Sequence, residues 1–83
     1  MIQVQVRLGT GLARLAPAPR LSLDLPDGAT VADAIASLGA EQPRLAGALR
    51  SAQPVVAGEH ARPDRPLAGG EEVALITPIS GGT

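Results

Sequence analysis

The chain has 83 residues and a formal net charge of −1, with 45% hydrophobic and 18% charged residues, the profile of one small folded domain rather than a disordered tail. It contains no Cys, Phe, Tyr, Trp or Lys, which excludes a disulfide framework, a cysteine metal site, Schiff-base chemistry and the aromatic platforms that stack single-stranded nucleic acid. The seven Arg are scattered, His60 stands alone and no apolar run approaches a membrane span of roughly 18 residues, so no nucleic acid, metal or membrane partner is expected and the chain is read as cytosolic.

Ile2, Val4, Val6 and Leu8 alternate with Gln3, Gln5 and Arg7, the period of two of a strand with one wet face. Gly9-Thr10-Gly11 ends it, and Leu12 to Leu15 can make one helical turn before Pro17 and Pro19 forbid more. Arg20 to Leu25 alternates again with Leu21, Leu23 and Leu25 inward, so the two strands are expected to pair as a hairpin with a long connection. Pro26-Asp27-Gly28 is a turn, because Pro presets φ and Gly tolerates positive φ. Thr30 is an N-cap with Asp33 three residues on, and Val31, Ala34, Ile35 and Leu38 share one helical face. The spacing predicts a helix over 31–38, closed by Gly39 as a left-handed cap. Pro43 can open a second short helix whose apolar side is Leu45, Ala48 and Leu49.

Pro54 to Ala57 reads as a short strand. Pro63 and Pro66 restrict 59–66 to an edge strand or an irregular turn, after which Leu67 plugs the core. Ala68-Gly69-Gly70-Glu71 is a tight turn, with Glu71 and Glu72 read as solubilising charges. Glu72 to Thr77 is the last strand, with Val73 and Leu75 on one face and Ala74 and Ile76 on the other. Strands on both sides of one main packing helix make an α+β domain, and the first strand finds a partner if the last returns beside it. The expected fold is therefore a β-grasp, a mixed four- to five-stranded sheet crossed by one main helix. A domain over 1–77 and an extended, flexible tail over 78–83 are its expected divisions.

Pro78 holds Thr77 extended, and Gly81 and Gly82 bring no side chain to any packing, so ordering them is entropically expensive. Two glycines alone are the mark of a frayed end. Their setting says more. Met1-Ile2-Gln3-Val4 with Leu12-Ala13-Arg14-Leu15, Pro26-Asp27-Gly28-Ala29-Thr30-Val31-Ala32-Asp33, and above all the run from Pro66-Leu67-Ala68-Gly69-Gly70-Glu71 to Pro78-Ile79-Ser80-Gly81-Gly82 resemble the ubiquitin-like sulfur-carrier family of the MoaD/ThiS type. Within it the chain is most similar to the small subunits of molybdopterin synthase.

The resemblance implies a consumable co-substrate rather than a catalyst. Gly82 would be adenylated by a ubiquitin-activating-type adenylyltransferase, which uses ATP while this chain binds no cofactor, and sulfur would replace AMP to give a C-terminal thiocarboxylate. The second implied partner is the molybdopterin synthase large subunit, which would take sulfur onto a pterin precursor in two successive donations. Gly81 would give access to a narrow channel, and Pro78, Ile79 and Ser80 would seat the tail, whose five extended residues reach roughly 15–18 Å. The body would dock through the sheet face away from the helix. Ile76 is there by parity, Arg7 stands where relatives place Phe and would meet an acidic group, and His60 either faces the partner or is an idle surface group. Arg14 and Asp33 read as a solvated charge and a helix cap.

Thr83 departs from the family, whose chains end on the second Gly with its carboxylate free. A peptidase trims it, or it is an added residue, or the chain is not activated at all. The absence of aromatic residues is a second departure and weakens the pterin assignment more than the fold. The rival functions are a carrier serving thiazole, cysteine or tRNA thiolation, a ubiquitin-like modifier forming isopeptide bonds through Gly82, and a non-covalent β-grasp binding module.

Overall fold

In the computed structural model, which describes residues 1–77, the alternating first segment forms strand β1 (Ile2–Leu8), burying Val4, Val6 and Leu8 and leaving Gln3 and Arg7 in water. A short helix α1 (Thr10–Ala13) follows, then β2 (Arg20–Leu25), which pairs antiparallel with β1 from Ile2 opposite Leu25 to Arg7 opposite Arg20. Helices α2 (Val31–Glu41) and α3 (Pro43–Leu49) come next, then β3 (Gln53–Val56), the two-residue β4 (Glu59–His60) and β5 (Glu72–Ile76). The sheet runs β2-β1-β5-β3-β4, with β5 central, parallel to β1 and antiparallel to β3. A last strand inserted parallel beside the first, with the main helix across one face, is the β-grasp, and its five strands are the upper count expected.

The helix face of the sheet and the inner faces of α2 and α3 enclose one aliphatic core. Leu12, Leu23, Leu38, Leu45, Leu75, Val4, Val6, Val31 and Val73 are all less than 2% exposed, and each such side chain contributes roughly 1.5–3 kcal/mol on burial. Leu67 sits in the same core. Without aromatics, the sheet and helices are joined by aliphatic packing, with Ala29, Ala34 and Ala61 set among the branched side chains.

The N-terminus of α2 is the best-satisfied helix end in the molecule. Asp33 N–H donates to Thr30 Oγ1 at 3.3 Å and Thr30 N–H donates back to Asp33 Oδ2 at 2.8 Å, a complete capping box. Val31 N–H donates to Arg65 O and Ala32 N–H to Pro63 O, so the proline-rich segment supplies acceptors to the donors that a helix start leaves free. That pairing, with the Thr30–Pro66 bridge, explains why 61–67 can lack regular structure and still be fixed.

Several boundaries differ from the sequence expectation. The helix α1 starts at Thr10 rather than Leu12, with Gly9 as its N-cap and Arg14 as its C-cap. The helix α2 continues through Gly39 to Glu41, and Gly39 is not among the positive-φ residues. A Cβ at Gly39 would touch Leu49 and Ala46 of α3, so this glycine serves close helix approach rather than termination. Strand β3 is shifted one residue toward Gln53, because Ala57 at φ 55 and Gly58 at φ 79 form the tight turn to β4. Strand β5 stops at Ile76 instead of Thr77. Ala74 lies on the outer face as parity requires and is 7% exposed.

Candidate functional site

Strand β5 leads directly toward the C-terminal segment, so its last residues set where that segment departs. Gly9 N–H donates to Leu75 O at 2.9 Å, extending the parallel pairing one step past β1. A Cβ at Gly9 would lie 3.2 Å from that same carbonyl oxygen, and one at Gly11 would lie 3.0 Å from Thr77 Oγ1. Both glycines therefore let the start of α1 press against the end of β5, while Leu12, fully buried, anchors it from beneath. Gly9 has φ −66, so close approach and not backbone conformation requires it.

The outer sheet face beside this exit carries the remaining candidate residues. Ile76 is 47% exposed and stands opposite Gln53 of β3. One row further in, Arg7 lies opposite Ala74, Ala74 opposite Val55 and Val55 opposite His60. His60 Nε2 and Gln53 Oε1 are 2.7 Å apart, so with the amide oxygen as acceptor the ring nitrogen carries the proton. Arg7 Nε is 3.8 Å from Glu72 Oε1, a long and exposed contact within its own face. The acidic group that the sequence reading placed on a partner thus has a competitor on the neighbouring strand. Ile76, Arg7 and His60 share this face, whereas Pro78, Ile79, Ser80, Gly81, Gly82 and Thr83 lie outside the described residues.

One pair escaped the sequence reading. Arg65 Nη1 and Nη2 donate to Glu71 Oε1 and Oε2, each at 3.1 Å, in a bidentate bridge, and Ala68 N–H donates to Glu71 Oε1 at 2.8 Å. Glu71 is therefore not the mere solubilising charge it was expected to be. The Arg65 hydrogen bond, then that of Ala68, holds its carboxyl below the ordinary Glu value, and Glu71 in turn raises the already high Arg65. The six-residue spacing of an Arg and a Glu around Pro66 and two glycines carried no such signal, because only the fold closes that loop.

Among the described residues no three His, Asp or Glu side chains gather as a metal site, and no helix is long and apolar enough to cross a membrane.

A sequence model of the ThiS family matches residues 7–82. No curated protein matches the chain. Among solved structures, small archaeal modifier protein 1 of Haloferax volcanii superposes with a TM-score of 0.88 at 28% identity, over 96% of this chain and 99% of its own. Small archaeal modifier protein 1 of Methanosarcina acetivorans gives 0.83 at 25% identity, over 99% and 98%. The candidate molybdopterin converting factor subunit 1 of Pyrococcus furiosus gives 0.85 at 21% identity, over 95% and 100%, a likeness of fold.

Proposed function

The chain belongs to the ThiS family, and from that membership we propose that it is a cytosolic sulfur carrier whose reactive group is the carboxylate of Gly82. The observation that carries this reading is that the family match runs through β5 and the following residues to end on Gly82, with Thr83 beyond it. Once a peptidase has removed Thr83, the freed carboxylate attacks the α-phosphorus of ATP on an adenylyltransferase and expels pyrophosphate. Hydrosulfide then attacks the acyl carbon and displaces AMP, which leaves Gly82 as a thiocarboxylate. A carboxylate is a poor electrophile, and the acyl-adenylate supplies the leaving group it lacks.

The thiocarboxylate sulfur attacks an acceptor carbon and displaces its oxygen substituent, and water then cleaves the acyl C–S bond, which leaves the sulfur on the acceptor and regenerates the Gly82 carboxylate. For the acceptor we favour the pterin precursor of the molybdenum cofactor, held by a molybdopterin synthase large subunit, which the fold shared with the Pyrococcus furiosus protein supports. Arg7, Ile76 and His60 form the docking face, Pro78, Ile79 and Ser80 seat the tail, and Gly81 admits it. Intact mass spectrometry tests the carrier reading. The chain ending at Gly82, incubated with adenylyltransferase, ATP and sulfide, gains the mass of sulfur exchanged for oxygen, and no gain overturns it.

A second reading has its own support, the similarity to small archaeal modifier protein 1. A modifier uses the same activated Gly82 but passes the acyl group to a target lysine amine. The chain itself offers no Lys, so lysine-linked chains of itself cannot form. Covalent conjugates on immunoblots of the native cell distinguish this outcome from sulfur transfer onto the pterin precursor.

A further inference from the structure

The two edges of the sheet differ. Strand β4 is two residues long, whereas β2 presents Arg20–Leu25 with no Pro, Gly or Lys inside it. An uninterrupted edge is a template for another strand unless it is blunted or covered. The phase of the ladder fixes what this edge shows. Leu8 N–H donates to Pro19 O at 2.8 Å, and the same register pairs Val6 with Leu21 and Val4 with Leu23. The leucines of β2 therefore turn their backbone groups to β1, and Arg20, Ser22 and Asp24 turn theirs out of the sheet. Among the described residues no backbone hydrogen bond from another segment reaches those outward groups. Their side chains form a palindrome of charge. Arg20 and Asp24 flank Ser22 symmetrically, are exposed, and make no ion pair among the described residues. Gln5 Nε2 donates to Ser22 Oγ at 2.9 Å and Gln3 Nε2 to Asp24 Oδ1 at 3.4 Å. Arg20 instead faces Arg7 across the β1–β2 pair, and like charges in directly opposed positions oppose folding.

We infer that β2 pairs antiparallel with β2 of a second copy of this chain, with Ser22 of both copies on the two-fold axis, to give one continuous sheet. In that register Arg20 of each copy stands opposite Asp24 of the other, and the outward N–H and C=O groups of Arg20, Ser22 and Asp24 are all exchanged. Each Arg20 then lies between Arg7 of its own chain and an Asp24 carboxylate of the other, which offsets the repulsion. On the helix side, half-buried Leu21 comes opposite Leu23 of the other copy. Charge selects this register. A slip by two residues sets Ser22 against Arg20 or Asp24 and leaves the charges unmatched, and parallel pairing in register sets Arg20 against Arg20. A strand of an unrelated protein gains the same backbone bonds without the matched charges, so the occupant is a second copy. The interface is one short strand wide, which makes the dimer weak and concentration-dependent. The inference depends on strand register alone and holds whatever the C-terminal segment does, since Ile76 is on β5, two strands away.

Sedimentation velocity of the full chain, from micromolar to millimolar concentration, reads the dimer, and thermal melts confirm the fold of each variant. The parent chain self-associates reversibly, and the amides of Arg20, Ser22 and Asp24 exchange with deuterium more slowly as the dimer forms. Arg20→Asp and Asp24→Arg each turn the opposed charge pairs into like pairs and weaken self-association about tenfold or more. An equal mixture of the two variants recovers the parent affinity, because each offers the complement the other lacks. Arg44→Asp, a charge reversal at an exposed position of α3, leaves self-association unchanged. A parent chain that stays monomeric at millimolar concentration, a dimer indifferent to both β2 variants, equal weakening by Arg44→Asp, or a mixture that associates no better than its components overturns the proposal. So does a dimer lost on Ile76→Glu but kept on Arg20→Asp, which places the contact on the outer face instead of the edge.

Discussion

Arg65 and Glu71 join two segments that share no regular secondary structure, through two parallel hydrogen bonds of 3.1 Å. Arg65 O also accepts from Val31 N–H, so the same residue ties the start of α2 to the turn that launches β5. Strand β5 is thereby registered against α2, with which it shares the core.

Acid weakens this tie, and the sign follows from the Glu71 carboxyl. Its value in the folded chain lies below the ordinary 4.5 because Arg65 and Ala68 stabilise the charged form. A lowered carboxyl value contributes stability that is present above the unfolded value and lost as pH falls through the folded one. The melting temperature therefore falls more steeply below about pH 4.5 for the parent chain than for Glu71→Gln, which is less stable at neutral pH. Melts of both proteins from pH 7 to pH 3 check this, and parallel curves would refute it.

Gly9 and Gly11 respond differently to the same added methyl group. At Gly9 it meets the backbone oxygen of Leu75 at 3.2 Å, which cannot move without disturbing β5. Gly9→Ala is expected to cost about 1–3 kcal/mol. At Gly11 the obstacle is the Thr77 hydroxyl, which can rotate away, and alanine is the better helix former. Gly11→Ala is expected to be neutral or to gain up to about 1 kcal/mol. Chemical denaturation of the two variants gives the order directly.

Ala57 is the one non-glycine residue with positive φ among those described, at 55°. With Gly58 at 79° it makes a two-residue hairpin turn that needs positive φ at both positions, for which Asn-Gly is the preferred pair. Ala57→Asn is expected to stabilise the protein by about 1 kcal/mol, since asparagine tolerates the left-handed region better than alanine. An unchanged or lowered denaturation midpoint would contradict the strain at this turn.

Ile76 separates binding from folding. Half exposed at the end of β5, it contributes little to the core, so Ile76→Glu should leave stability within about 0.5 kcal/mol of the parent. Association with the molybdopterin synthase large subunit should weaken by about 100-fold, the loss typical of an apolar anchor replaced by an unpaired charge. Gel filtration of the mixed proteins reports the complex, and an undiminished complex would remove Ile76 from the docking face.

The strands β1, β2 and β5, the capped start of α2 and Pro43 opening α3 were legible because each rests on a local rule: alternation, a Thr and Asp at capping distance, a proline at the first helical position. Parity along β5 also placed Ile76 in water. Gly39 misled because glycine after a periodic segment signals termination locally, whereas here α3 packs on it. Parity along β5 also placed Ala74 on the outer face, although parity names a face and not how exposed each position on it is.

By itself the sequence determined which residues could be inside and where the chain turns, because these depend on residue type and spacing alone. Only the tertiary structure decided that Arg65 meets Glu71 and that Arg7 faces Arg20. Those relationships join positions far apart along the chain or on different strands. Strand register and loop closure set their distances, and both come from burying the whole core at once.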